Sequence, residues 1–261
     1  MKNLFLVFIS FFSLAANTIN SKNISAICFD IEAIFTTDDL KASSYVGKIN
    51  SLRYLGQVGH LPSQEDLFKQ LKGIKSISSQ VTYNNNLEMP LILSDWLAQL
   101  QSNDKIKDII QKFLSNKKLS DIEIKVLLAI INMMLTPQNL ADTQKVRSKI
   151  EQLLKNLRQK GYKLYLVGNW AHINSLKNHF SHIFSYFSGT ITSGDIHMLK
   201  PYQEYYQEVY KKINSNPKEV LWIETESKFV SRVKNYGYNV VLFNKDYNSL
   251  ISGLRSFNIN L

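Results

Sequence analysis

The stretch Ala26-Ile27-Cys28-Phe29-Asp30-Ile31-Glu32 decides the fold. Four apolar residues run without interruption and then break off at two acids separated only by Ile31. A short apolar run bounded by polar residues suits a strand buried on both faces, as in a parallel sheet. In an open α/β sheet, chemistry collects just beyond the carboxyl ends of the strands. Asp30 and Glu32 are therefore candidate site residues as soon as the strand is accepted.

Downstream, the same pattern returns after a long interruption. Residues 40–142 read as helical with no convincing strand. Ile106, Ile109, Ile110, Phe113 and Leu114 keep the spacing of one helical face. Ser120 and Glu123 form a capping box that opens an apolar helix over residues 122–135, and Pro137 stops it. Asn84-Asn85-Asn86 marks a loop. Beyond residue 143, Val146, Ile150, Leu153, Leu154 and Leu157 make a helical stripe that Gly161 closes. Extended runs follow at 163–167, 184–191, 220–223 and 239–243, with helical patterns between them. Strands alternating with helices imply βαβ units and a parallel sheet. The expected architecture is an α/β, Rossmann-like parallel sheet built from residues 17–39 and 143–261, with an inserted α-helical cap at 40–142.

Composition narrows the function. The chain has 261 residues, 44% hydrophobic and 11% aromatic, enough for a real core. Its 31 basic and 21 acidic residues give a net charge of +10. The lysines are dispersed along polar helix faces with no basic run and no aromatic interleaving, which argues for solvated surface charge and against a nucleic-acid platform. Cys28 is the only cysteine, so no internal disulfide forms, and its apolar neighbours make it a small core residue. Lys2, the apolar stretch at 4–16 and the small residues Ala15 and Ala16 resemble a cleavable signal peptide over residues 1–16. That stretch is well short of the ~20 residues that span a bilayer. Export to the periplasm or the exterior is expected, without membrane insertion once the signal is removed.

The residues past each strand converge on one rim: Asp30 and Glu32, then Gly168-Asn169-Trp170, then Lys200-Pro201, then Glu224-Thr225-Glu226. A carboxylate near a lysine, with further acids able to hold a cation, suits phosphoryl transfer through an aspartyl intermediate. His172, His179, His182 and His197 fit no zinc-ligand spacing. Trp170, Trp222, Tyr202, Tyr205, Tyr206 and Tyr210 read as packing residues.

The order of these elements resembles the haloacid dehalogenase-like (HAD-like) hydrolase superfamily. Phe29-Asp30-Ile31-Glu32 is similar to its first motif, and Leu166-Val167-Gly168-Asn169-Trp170 to its second. Ser193-Gly194 through Lys200-Pro201 to Tyr206 matches the third, and Leu221-Trp222-Ile223-Glu224-Thr225 with Gly237 the fourth. The resemblance implies an Mg2+-dependent phosphatase acting on a small phosphorylated substrate. Asp30 would be the nucleophile, Glu32 the acid/base and Lys200 the neutralising cation. Gly168 and Asn169 would contact phosphate. Asp30, Glu32 (its carbonyl included), Glu224 and Glu226 would hold the metal. The motifs are degenerate: Glu32 stands where Asp is usual, Gly168 replaces a hydroxyl residue, and Thr225 occupies the place of a metal-binding Asp. A catalytically silent HAD-like binding protein and a metal-free 2-haloacid dehalogenase remain the alternatives.

Overall fold

The computed structural model describes residues 24–78 and 89–261. The leader expected at 1–16 and the Asn84-Asn85-Asn86 loop lie outside the described residues. Among the described residues there are seven strands: β1 (Ala26–Asp30), β2 (Phe35–Thr37), β3 (Gln144–Val146), β4 (Lys163–Gly168), β5 (Gly189–Thr192), β6 (Val220–Glu224) and β7 (Asn239–Leu242). Five of them form one sheet in the order β5-β4-β1-β6-β7, every pairing parallel. The chain is thus α/β, with β1 at the centre of the sheet.

Side-chain alternation along each strand feeds two separate cores. Ile27 and Phe29 of β1 join Leu164, Leu166, Leu221 and Ile223 on one face, packed by helices Ile150–Gln159 and Tyr247–Arg255. Ala26 and Cys28 join Val167, Val220 and Trp222 on the other, packed by helix Gln203–Ile213 through Tyr205, Tyr206 and Val209. Both faces are covered, which is why β1 and β6 are buried at every position. Burying each large side chain contributes about 1.5–3 kcal/mol. Burial also pushes the Cys28 thiol up, keeping it neutral and inert.

Residues 39–142 form helices with their own hydrophobic cluster, and no strand occurs there among the described residues. The helix Asn103–Ser115 buries Ile106, Ile110 and Leu114. The helix Asp121–Leu135 starts on the Ser120–Glu123 box, in which the Glu123 carboxylate accepts the Ser120 N–H at 2.9 Å. Pro137 does more than stop that helix: it opens the next one, Pro137–Asp142, at a position where its missing N–H is no loss.

Two expectations need correction. Val146 does not sit on a helix; it pairs with Phe35 in the antiparallel β2–β3 ribbon, and the helix begins at Ile150 after a left-handed Lys149. The extended run at 184–191 is in fact a short helix, Ser181–Phe184, followed by β5 from Gly189. Phe180, Phe184 and Phe187 fold back on Phe35 and Phe29 as an aromatic cluster, so their apolar content serves packing and not extension.

Candidate active site

The central strand delivers Asp30 to the carboxyl edge of the sheet, and β6 delivers Glu224 beside it. Lys200 arrives from the segment after β5. Its Nζ donates to Asp30 Oδ2 at 2.7 Å and to the two Glu224 oxygens at 3.2 and 3.1 Å. All three residues are buried, at 3%, 0% and 2% exposure for Asp30, Glu224 and Lys200. Thr225 Oγ1 donates a further bond to Asp30 Oδ2 at 3.0 Å. The lysine is aimed by Asn169, whose side chain accepts the Lys200 N–H at 2.8 Å and donates to the Lys200 carbonyl at 3.2 Å. Its ammonium also lies 5.3 Å from the centre of the Phe229 ring.

One lysine lies between two acids, and the charges sort accordingly. Burial alone would raise the Asp30 carboxyl. The Lys200 charge and the hydrogen bonds from its neighbours outweigh that, so it titrates below the ordinary carboxylate range. Burial pushes Glu224 up to about 8, with the Asp30 charge adding to it and Lys200 opposing. Lys200 loses hydration by burial but is held well above its usual value by Asp30 and Glu224. The nearer acid, Asp30, therefore carries the charge at neutral pH and Glu224 keeps a proton. Glu32 stands exposed at the rim, where crowding by protein and then the Asp30 charge raise its carboxyl. Water at its open edge damps that shift.

Asp30 Oδ2 accepts from both Lys200 and Thr225, while Oδ1 lies toward Gly168. Gly168 leaves room for it. Its φ of +145° is a conformation for glycine, and a Cβ there would lie 2.8 Å from Asp30 Oδ1 and 2.9 Å from Ile31 Cγ2. The Gly168 N–H is already used: it donates to the Tyr205 hydroxyl at 2.7 Å, which itself donates to the Ile191 carbonyl at 3.0 Å.

The residues expected to hold Mg2+ do not fit a divalent cation. Among the described residues no three His, Cys, Asp or Glu side chains gather as a metal group. Glu224 spends both oxygens on Lys200 and on the N–H groups of Thr225 and Glu226. Glu226 pairs with Lys228 at 2.8 Å. The Glu32 carbonyl, expected as a metal ligand, accepts the Arg147 Nε–H at 2.8 Å. Fixed cations take the places that a hard ion would need. The expected phosphate contacts also change: the Asn169 amide is committed to Lys200, and the Gly168 N–H to Tyr205.

Thr225, Arg147 and Tyr205 are the contributors that the sequence pattern did not identify. Two histidines brace the helical insertion against the sheet edge. His172 meets the Asn103 side chain at 3.1 Å, and His197 Nδ1 donates to the Ala98 carbonyl at 3.0 Å. Ser193 Oγ accepts the Trp170 N–H at 2.9 Å and donates to the Leu97 carbonyl at 2.7 Å, and the Gln99 amide donates to the Ala171 carbonyl.

Comparison with known proteins agrees with this fold. The family described as haloacid dehalogenase-like hydrolase matches residues 59–224. No curated protein matches the chain. Among solved structures, a HAD family enzyme from Bacteroides thetaiotaomicron (BT-2542) is 16% identical with a TM-score of 0.55, covering 87% of this chain and 98% of its own. The same enzyme in complex with magnesium and inorganic phosphate is 18% identical with a TM-score of 0.53 over the same coverage. A dehalogenase aligns at 15% identity and a TM-score of 0.52, over 86% of this chain and 87% of its own. At these identities the likeness speaks to the fold.

Proposed function

Because the chain belongs to the haloacid dehalogenase-like hydrolase family, we propose that it hydrolyses small phosphorylated molecules through a covalent ester on Asp30. The observation that carries this is the buried Lys200–Asp30 pair, 2.7 Å apart at the end of the central strand. Lys200 and Thr225 hold Oδ2, so Oδ1 attacks phosphorus. The bond to the leaving alkoxide breaks, and Glu32, with its raised affinity for a proton, supplies one to that alkoxide. Water then adds to phosphorus, Glu32 takes its proton, and the bond to Oδ1 breaks to release phosphate and restore the carboxylate. Lys200 supplies positive charge throughout from a site that water does not reach. Mg2+ accompanies a HAD neighbour, but the acids of this chain are engaged internally, and no step here is routed through a metal.

A second reading rests on the same pairing. A nucleophilic Asp served by a lysine and a hydroxyl, without a metal ion, also suits hydrolytic release of halide from a 2-haloacid. The export expected of residues 1–16 would place either substrate outside the cytoplasm. No helix among the described residues is long and apolar enough to cross a membrane.

The test is turnover of p-nitrophenyl phosphate by the full chain, with Mg2+ and with a chelator, beside halide release from 2-chloropropionate. Phosphate release that survives chelation and vanishes in Asp30→Asn supports the proposal. Turnover that strictly requires Mg2+ overturns the metal-free mechanism. Halide release with no phosphatase activity favours the second reading, and neither activity leaves a silent binding protein.

A further inference from the structure

Beside the β2–β3 ribbon lies a concavity of about 320 Å³ whose walls come from three separate segments. β2 contributes Thr36, β3 and the turn after it Lys145, Arg147 and Lys149, and the segment after β7 Phe243, Lys245 and Tyr247. Four of its lining residues are cationic and none is acidic. Lys145, Lys149 and Lys245 are exposed and able to reach a ligand. Asp38 touches the cluster only at 4.0 Å from Lys145, and Asp246 is occupied in accepting the N–H groups of Asn248 and Ser249.

Like charges spread along a surface repel and disperse; here they are gathered, and two of them at a conformational penalty. Lys149 and Lys245 have φ values of 66° and 70°, the left-handed region that side chains other than glycine adopt reluctantly. Such outliers persist where the surrounding structure imposes them and cluster at ligand sites. Lys149 Nζ also lies 5.4 Å from the centre of the Tyr247 ring, another residue of the wall. The walls are tied to the reaction site on both sides. Arg147 donates to the Glu32 carbonyl at 2.8 Å, and the Phe243 N–H donates to the Glu224 carbonyl at 2.7 Å.

We propose that this concavity is a second anion site, taking a phosphate or comparable dianionic oxyanion group beside the Asp30–Lys200 centre. Its guanidinium and ammonium donors match such a group in charge and in hydrogen-bonding capacity. The group is either a free anion or a second anionic group of the substrate. The proposal does not rest on the Asp30 chemistry, because the site is assembled from residues that take no part in it apart from the shared Arg147 contact.

The experiment titrates sulfate, which is not turned over, into the full chain at low ionic strength and follows amide chemical shifts. Shifts centred on residues 145–149 and 243–247 are expected. The Lys149→Ala/Lys245→Ala double variant should weaken sulfate at least tenfold, while Lys149→Arg/Lys245→Arg retains it. Unchanged affinity in the alanine variant, or shifts confined to Asp30 and Lys200, would overturn the site. A second arm separates the sources: kcat/KM for fructose 1,6-bisphosphate is compared with that for p-nitrophenyl phosphate in the wild type and the alanine variant. A preference for the bisphosphate that the variant loses assigns the site to the substrate. Sulfate binding with no such preference assigns it to a free anion. Absence of all turnover refutes the hydrolase proposal and leaves the sulfate result standing.

Discussion

Replacing Gly168 by serine would restore the hydroxyl that the second motif of this family usually carries, and the structure says the replacement fails. The new Cβ would sit 2.8 Å from Asp30 Oδ1 and 2.9 Å from Ile31 Cγ2, against the ~3.5–4.0 Å at which carbon contacts become attractive. Neither neighbour can withdraw. Asp30 is pinned by Lys200 and Thr225, and Ile31 is packed in the core at 2% exposure. Overpacking of this kind costs about 1–3 kcal/mol, and a side chain at φ +145° adds about 1–3 kcal/mol. The sum, roughly 2–6 kcal/mol, is a large part of the ~5–15 kcal/mol that holds a typical domain folded. At ~2–4 °C per kcal/mol for a domain of this size, the melting temperature should fall by about 5–20 °C. Gly56→Ala is the control for the same calorimetric assay. Gly56 lies inside helix Lys48–Val58 with nothing within 4 Å of its added Cβ, so the substitution should stabilise by about 0.5–1 kcal/mol. With Oδ1 obstructed, any turnover by Gly168→Ser should drop by about 100-fold. A Gly168→Ser protein as stable as wild type, or more active, would refute the packing argument and the assignment of Oδ1 together.

Three further outcomes follow from the acid–lysine cluster. Lys200→Met leaves two buried carboxyls facing each other and should cost about 3–5 kcal/mol in urea unfolding; Asp30→Asn in the same chain should recover part of it. The folded value of Glu224, about 8, lies above its ordinary 4.5, so the stability it contributes is complete at pH 4.5 and below and is lost as pH rises through 8. The urea midpoint should therefore fall between pH 5 and 8.5, and Glu224→Gln should flatten that profile; a midpoint that rises over this range would reverse the assignment of the proton. Asn169→Ala removes both hydrogen bonds to the Lys200 main chain and should cost about 1–2 kcal/mol. Its effect on turnover should appear in kcat with KM little changed.

Features written in local chemistry were legible in the sequence. The apolar run of β1, the stripe of helix Asn103–Ser115 and the capping box at Ser120 each depend on residues within a turn or two. The β2–β3 ribbon was not legible, because strands of three residues carry no alternation and exist only by pairing across more than a hundred residues of chain. Val146 lies four residues before Ile150 and so fell on the helical stripe by spacing alone. The aromatic run from Phe184 could not announce its period, since a buried helix end and a buried strand have the same composition. At the site, reading the residues past each strand end brought Asp30, Lys200 and Glu224 to one rim, but spacing says nothing of partners. That Glu224 would face a lysine in place of a metal ion, that Arg147 would occupy the Glu32 carbonyl, and that Thr225 would serve Asp30 are matters of three-dimensional reach.

The central position of β1 has a consequence for how the molecule is made. Its two neighbours in the sheet begin at residues 163 and 220, so this strand leaves the ribosome long before both of the strands that satisfy it. At ~5–20 residues per second, this greasy segment waits roughly 10–40 s for both edges to be covered. The helical insertion, rich in short-range contacts, can collapse during that delay. Assembly of the edge that carries Asp30, Lys200 and Glu224 is thus a late event, and a nascent chain halted before residue 220 carries Asp30 with no finished sheet to hold it.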